Sequence, residues 1–269
     1  MKRIIGALIL IVLLALPAFF GPEWAFFAIA LVVLPMCLFE LNRVILDKNA
    51  SILGWITLAG SIPMLFCIYY VKFAEAFYVI AVTGLTVMGL GLLLFERSRV
   101  SGRDIALALS GMIYPLVLSS FWILIRNGID GRFWMIFGLA CTFLSDTGAY
   151  YAGKNLGRHH IVPRLSPKKT LEGLIGGMAA STLLGTLFFI TYSGLAPLER
   201  PYPVCAVMAM AAIIALFDFM GDLGASLFKR EFNVKDMGNL IPGHGGMLDR
   251  MDGIIPVGTV LYLVLQAGF

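Results

Sequence analysis

Apolar runs of membrane-crossing length follow one another along this sequence, at 4–20, 24–41, 51–71, 76–95, 105–125, 133–152, 173–193, 203–221 and 254–268, with short polar breaks between them. A helix needs roughly 20 such residues to cross the hydrocarbon core of a bilayer. Only helices and closed barrels satisfy their own backbone groups there. The pattern predicts an all-α fold, a polytopic transmembrane helix bundle of about nine spans. Composition agrees, since 59% of the 269 residues are hydrophobic and 13% charged, whereas soluble domains carry about 25% charged residues. A soluble globular domain, a disordered chain, a collagen-like repeat and a disulfide scaffold are excluded together.

Charge then orients the bundle. With the N-terminus inside, sixteen Lys and Arg residues fall in inside segments, leaving Lys72, Arg126, Arg132 and Arg200 outside, as the positive-inside rule expects. The net charge of +4 is read as loop charge, and nucleic acid is not expected as a partner. The apolar run after Met1-Lys2-Arg3 imitates a signal peptide, but Ala15-Leu16-Pro17-Ala18 is a poor cleavage site, so an uncleaved first helix is expected. Cys37, Cys67, Cys141 and Cys205 form no C-x-x-C pair and read as packed thiols.

Polar chemistry is concentrated in 145–172 and 218–252. The sequence divides into 1–103, a set of N-terminal transmembrane helices without a motif, and 104–269, the region expected to carry a polar, cytoplasm-facing site. Asp146 ends one apolar run, while Asp218 and Asp222 end another, one helical turn apart and on one face. Asp249 and Asp252 form a second close pair. A carboxylate at membrane depth costs at least about 2.5 kcal/mol on insertion scales and persists mainly beside a cavity, cation or basic partner. Ion pairing with Lys229, Arg230 or Arg250 would explain one acid; five acids on three segments point to a metal site. Short oxygen ligands suit Mg2+, which takes one or two carboxylates and completes its shell with water and phosphate oxygens. Zinc is disfavoured, because His159, His160 and His244 lie in no zinc-binding pattern. His159 and His160 read as ordinary interfacial residues.

Two cationic loops accompany the acids, one around Lys154 and Arg158, the other Ser166-Pro167-Lys168-Lys169-Thr170-Leu171-Glu172-Gly173. Lys168 and Lys169 stand between Pro167 and a helix start expected at Thr170, where an anion would meet a helix N-terminus. Phosphate binding and plain topology both account for them. Gly148 to Asn155 nearly spells a phosphate-binding loop, but Asn155 replaces the required Ser or Thr and the segment leaves an apolar helix, so it is discounted. Gly177, Ser181 and Gly185 follow the small-xxx-small spacing of close helix packing.

The run from Ser226 to Asp252 mixes Ser226, Lys229, Arg230, Lys235, Gly243, His244, Gly245, Gly246, Asp249, Arg250 and Asp252. Glycines there would let backbone N–H groups approach phosphate oxygens, with the basic residues neutralising charge and the aspartates holding a metal. These 27 residues resemble, at every fixed position, the signature of the phosphatidate cytidylyltransferases (CDP-diacylglycerol synthases). Ser166 to Gly173 is similar to that family's second block. The resemblance implies Mg2+-dependent transfer of CMP from CTP to phosphatidic acid, giving CDP-diacylglycerol and pyrophosphate. It also implies a metal centre at Asp222 and Asp249, with a monovalent cation such as K+ beside the magnesium.

Together the expectations are these. Asp222, Asp249, Lys168, Lys169 and Arg250 act on the reacting groups. Lys154, Ser226, Lys229, Arg230, Lys235, Gly243, His244, Gly245 and Gly246 bind substrate, His244 as a phosphate or ribose contact. Asp146, Asp222, Asp249 and Asp252 surround Mg2+. The partners are CTP, phosphatidic acid and membrane lipid, and a homodimer stays open. A bacterial cytoplasmic membrane is expected, with the N-terminus and the site facing the cytoplasm. The alternative is a secondary transporter with an intramembrane acidic cation site, although a His-Gly-Gly loop full of cations is not what transport needs. Phosphatidyl transfer to an alcohol expects a D-G-x2-A-R motif, which is missing from this sequence.

Overall fold

A computed structural model describes residues 20–71, 73–97, 99–239 and 245–268. The span expected at 4–20 lies outside the described residues, as do Gly243 and His244. Among the described residues the fold is all-α, 80% helical without strands. Six helical stretches are long and apolar enough to cross a membrane: Glu23–Ile45, Lys48–Tyr70, Ala74–Glu96, Gly102–Arg126, Leu171–Leu195 and Val204–Glu231. The expected span at 133–152 falls within a 26-residue helix that is not among these six, and the last apolar helix, Ile254–Gln266, has 13 residues. The protein is thus a multi-pass membrane protein.

The helices are α1 (Glu23–Ile45), α2 (Ser51–Phe66), α3 (Phe73–Glu96), α4 (Gly102–Gly111), α5 (Leu118–Arg126), α6 (Gly131–Leu156), α7 (Leu171–Leu195), α8 (Val204–Glu231), a single turn α9 (Leu248–Met251) and α10 (Ile254–Gln266). Wide π-helical turns, Cys67–Val71 after α2 and Met112–Val117 between α4 and α5, follow Pro63 and enclose Pro115. A proline lacks the N–H for the regular helical bond, and a wider turn absorbs the mismatch. Two compact units result, residues 1–124 with 232–250, and residues 125–231 with 251–269.

In the first unit, Asn42 of α1 donates to Gly54 O (3.3 Å) and Thr57 Oγ1 (3.0 Å) of α2, tying the two helices together by their polar groups. Ala50, Leu53, Val87, Val100 and Ala108 form an apolar core. A Ser101 capping box opens α4: its hydroxyl accepts from Asp104 N (3.2 Å), and Asp104 Oδ2 accepts from Ser101 N (2.8 Å), so two helix-start N–H groups are satisfied reciprocally.

The second unit is organised around α6, α7 and α8. Near the start of α6, Phe133, Trp134 and Phe137 are fully buried; Phe133 stacks on Phe188, and Trp134 meets Tyr202 edge-on. Asp130, just before α6, accepts from Glu199 N (3.0 Å) and Arg200 N (3.3 Å), fastening the α7–α8 connection to that end of the helix. Toward its other end α6 meets α7 through backbone. A Cβ on Gly148 would come within 2.5 Å of Ala180 Cβ and 2.7 Å of Gly176 O, and one on Gly185 within 2.7 Å of Cys141 Sγ. Gly177, Ser181 and Gly185 are buried in α7, and Ser181 Oγ donates to Ala211 O of α8 at 2.9 Å. Their spacing serves close packing, as read from the sequence. The discounted Gly148–Asn155 run is helical, and Gly148 is one of these packing positions. All four cysteines are free thiols. Cys205 departs from the expectation of a packed thiol, because the first turn of α8 leaves it exposed.

Candidate active site

Thr170 is the N-cap of α7, its hydroxyl accepting from Gly173 N at 3.2 Å, so the helix starts where the sequence placed it. The loop before it is pinned on three sides. Ile161 N donates to Lys169 O (3.1 Å) and Leu171 N to His159 O (2.8 Å), forming a short antiparallel bridge at His160 and Thr170. Glu172 of α7 turns back on the same strip, its Oε2 accepting from Arg158 N (3.0 Å) and His159 N (3.2 Å) and its Oε1 meeting His159 Nδ1 at 2.6 Å. From α8, Arg230 Nε donates to Leu165 O at 3.3 Å. His159 is therefore a structural residue, and Arg230, expected as a substrate contact, bonds the backbone of this loop.

This scaffold directs Lys169 at α8. Its ammonium forms an ion pair with Asp222 Oδ2 and lies 5.0 Å from the centre of the Phe219 ring. Lys168 beside it is exposed. A cavity of about 200 Å3 opens here, lined by Asp146, Tyr150, Lys168, Lys169, Thr170 and Phe219 among others. Asp146, Asp222 and Asp218 are within electrostatic reach of one another and of Lys169. Asp218 is buried and hydrogen-bonded to the Ser145 side chain. Asp252 packs below this group: its Oδ1 accepts from Gly253 N at 3.0 Å, and Gly221 and Gly253 are the small residues that let the backbone at 252–253 press against α8. Lys154 lies against the Tyr150 ring at 5.7 Å. Ser226 and Lys229 are half-buried on α8.

The rest of the signature belongs to the first unit. Asp249, at the start of α9, uses Oδ2 to accept from Met237 N (2.8 Å) and Gly246 N (3.1 Å), drawing both flanks of the loop onto one carboxylate. Gly245 has φ +86° and sits against Asp249 and Asp236, where a Cβ would lie 3.4 Å from Asp249 Oδ2; its left-handed backbone is the conformation glycine adopts without penalty. Lys235 and Arg250 are exposed.

One residue of this loop's surroundings escaped the sequence reading. Glu40 of α1, in the part judged to carry no motif, is 3% exposed and accepts from Leu248 N through Oε2 at 2.9 Å. The available signal was a lone acid in an apolar run.

Among the described residues, no three His, Cys, Asp or Glu side chains are arranged to hold a metal ion by themselves. What the second unit offers is oxygen donors, Asp146 and Asp222, beside lysines. That donor set suits a hard cation taking one or two carboxylates and sharing phosphate oxygens.

A family model, the cytidylyltransferase family, matches residues 1–267. The chain is 31% identical to the phosphatidate cytidylyltransferase of Staphylococcus aureus (strain COL) over 228 residues, 84% of each chain. It is 34% identical to that of Staphylococcus haemolyticus (strain JCSC1435) over 172 residues, 63% of this chain and 62% of the relative. Against the enzyme of the same name from Bacillus subtilis (strain 168) identity is 36% over 155 residues, 57% of this chain and 55% of the relative.

Proposed function

The chain belongs to the cytidylyltransferase family, and we infer that it makes CDP-diacylglycerol and pyrophosphate from CTP and phosphatidic acid. The observation that carries the reading is the meeting of Lys169 and Asp222 at a cavity that also holds Asp146 and Lys168: cations and carboxylates together, at the end of membrane helices.

A phosphate oxygen of phosphatidic acid attacks the α-phosphorus of CTP. A new P–O bond forms, the bond to the bridging oxygen breaks, and pyrophosphate leaves with the electron pair. Both reactants are anions, so the first requirement is positive charge that brings them together and follows the charge onto the leaving group. Lys168 and Lys169 supply it, on a loop whose backbone is already fixed. Phosphatidic acid is an anionic nucleophile, so positioning and electrostatics suffice without a strong general base. Asp146 and Asp222 are the carboxylates we assign to Mg2+, which when bound would neutralise phosphate oxygens as a Lewis acid. Asp249 as a further ligand, and K+ beside the magnesium, follow from the resemblance. The lysine-rich loops support a site on the cytoplasmic side of a bacterial inner membrane, where CTP is present.

The test is direct. Purified protein with labelled CTP, phosphatidic acid and Mg2+ should yield a labelled lipid and pyrophosphate in equal amounts, and chelation should stop it. Substrate-independent loss of CTP, or no lipid product, would refute the assignment.

A further inference from the structure

Glu40 and the signature loop are built around each other. Beyond its bond to Leu248 N, the Glu40 side chain lies against two loop glycines so closely that neither could carry a methyl group. A Cβ on Gly246 would sit 2.6 Å from Oε2 and 2.9 Å from Cδ; one on Gly238 would come within 2.8 Å of Cγ. Leu248 N opens α9, the turn that carries Asp249 and Arg250, and Gly246 N is one of the two groups held by Asp249. Oε1 is buried with no hydrogen-bond donor among the described residues. An acid so enclosed in an apolar helix is costly, and a leucine or alanine would fill α1 at no such cost.

We propose that Glu40 is a positioning residue for the transfer reaction, the support that sets the placement of Gly238, Gly246, Asp249 and Arg250. The carboxyl oxygen Oε2 accepts the first N–H of α9, and the side chain leaves room only for backbone at 238 and 246. The proposal rests on the cytidylyltransferase reading, which gives the loop its substrates.

The experiment measures CDP-diacylglycerol formation and thermal unfolding of the full-length protein in detergent. Glu40→Ala should lower kcat on the order of tenfold, the loss of one hydrogen bond to a charged group, with the unfolding temperature little changed. Glu40→Gln keeps an acceptor oxygen and should restore most of kcat. Gly238→Ala, where the three atoms nearest the added Cβ all belong to Glu40, should be damaging alone yet cost much less in the Glu40→Ala background, where the clash is relieved. Wild-type kcat in Glu40→Ala overturns the proposal, as does equal inactivity of the Gln and Ala variants, or strict additivity with Gly238→Ala. If Glu40→Ala fails to fold, Glu40→Asp, which withdraws the acceptor by one methylene, takes its place, and a normal kcat per folded molecule overturns the proposal. A wild-type protein that makes no labelled lipid would instead defeat the reading beneath it.

Discussion

The ammonium of Lys169, three residues beyond a turn bonded to Val162, meets the carboxylate of Asp222 in the middle of α8's polar end. A loop cation and a membrane-helix acid thereby mark one spot, where phosphate and metal would each find its counter-charge. Asp222→Asn keeps the shape and removes the charge, so turnover should fall about tenfold or more while the protein still inserts and unfolds at its normal temperature. Lys169→Ala, compensated by a lysine elsewhere in the same loop to preserve topology, should show a similar loss. Steady-state kinetics with varied Mg2+ check both, and near-normal turnover at low Mg2+ in Asp222→Asn would remove that residue from the metal site.

Asp249 presents a different case, because its Oδ2 is bonded to Met237 N and Gly246 N. Asp249→Asn retains one oxygen that can accept, whereas Asp249→Ala retains none. If the residue only shapes the loop, Asn should keep most activity and Ala lose it. The metal role implied by the family signature expects both to be inactive, with the Asn variant still resistant to limited proteolysis in the 232–250 segment.

Lys168 is exposed at the loop surface, and the proposed topology turns it toward the cytoplasm. In a variant with Cys37, Cys67, Cys141 and Cys205 replaced, Lys168→Cys should react with an impermeant thiol reagent in inverted vesicles and not in intact cells. Modification from outside would reverse the assigned topology.

The contact of α6 with α7 should be intolerant of side chains. Gly148→Val places carbon where Ala180 Cβ and Gly176 O already are, and overpacking of this kind costs typically 1–3 kcal/mol. Gly194, near the end of α7, has nothing within 4 Å of its would-be Cβ, so Gly194→Ala should be neutral or stabilising by up to about 1 kcal/mol. Thermal unfolding of the two variants in one detergent separates a packing effect from a general dislike of helix substitutions.

What the sequence made legible is what local chemistry encodes. Among the described residues apolar run length placed the helices within a few residues, and Pro167 with Thr170 marked the start of α7, since a cap is a matter of neighbouring residues. The spacing of Gly177, Ser181 and Gly185 named a packing face because the helical repeat is fixed. Contacts between distant segments left no such trace. Nothing near Glu172 says that it will hold the backbone of Arg158 and His159, and nothing near Arg230 points to Leu165 O. A metal role for Asp249 is what the family resemblance implies, whereas its two backbone partners depend on how the loop folds back. Glu40 was passed over because its partner lies 208 residues away.

That separation has a consequence for biogenesis. Ribosomal synthesis proceeds at about 5–20 residues per second, so α1 enters the membrane roughly 10–40 s before Leu248 is made. During that interval the Glu40 carboxylate has to be satisfied by water or by the insertion machinery. Residues 245–250, for their part, meet a support that is already in the membrane when they are made. Truncated or stalled chains would therefore expose an unsatisfied acid near the end of a membrane helix, a mark by which membrane quality control could tell an unfinished molecule from a complete one.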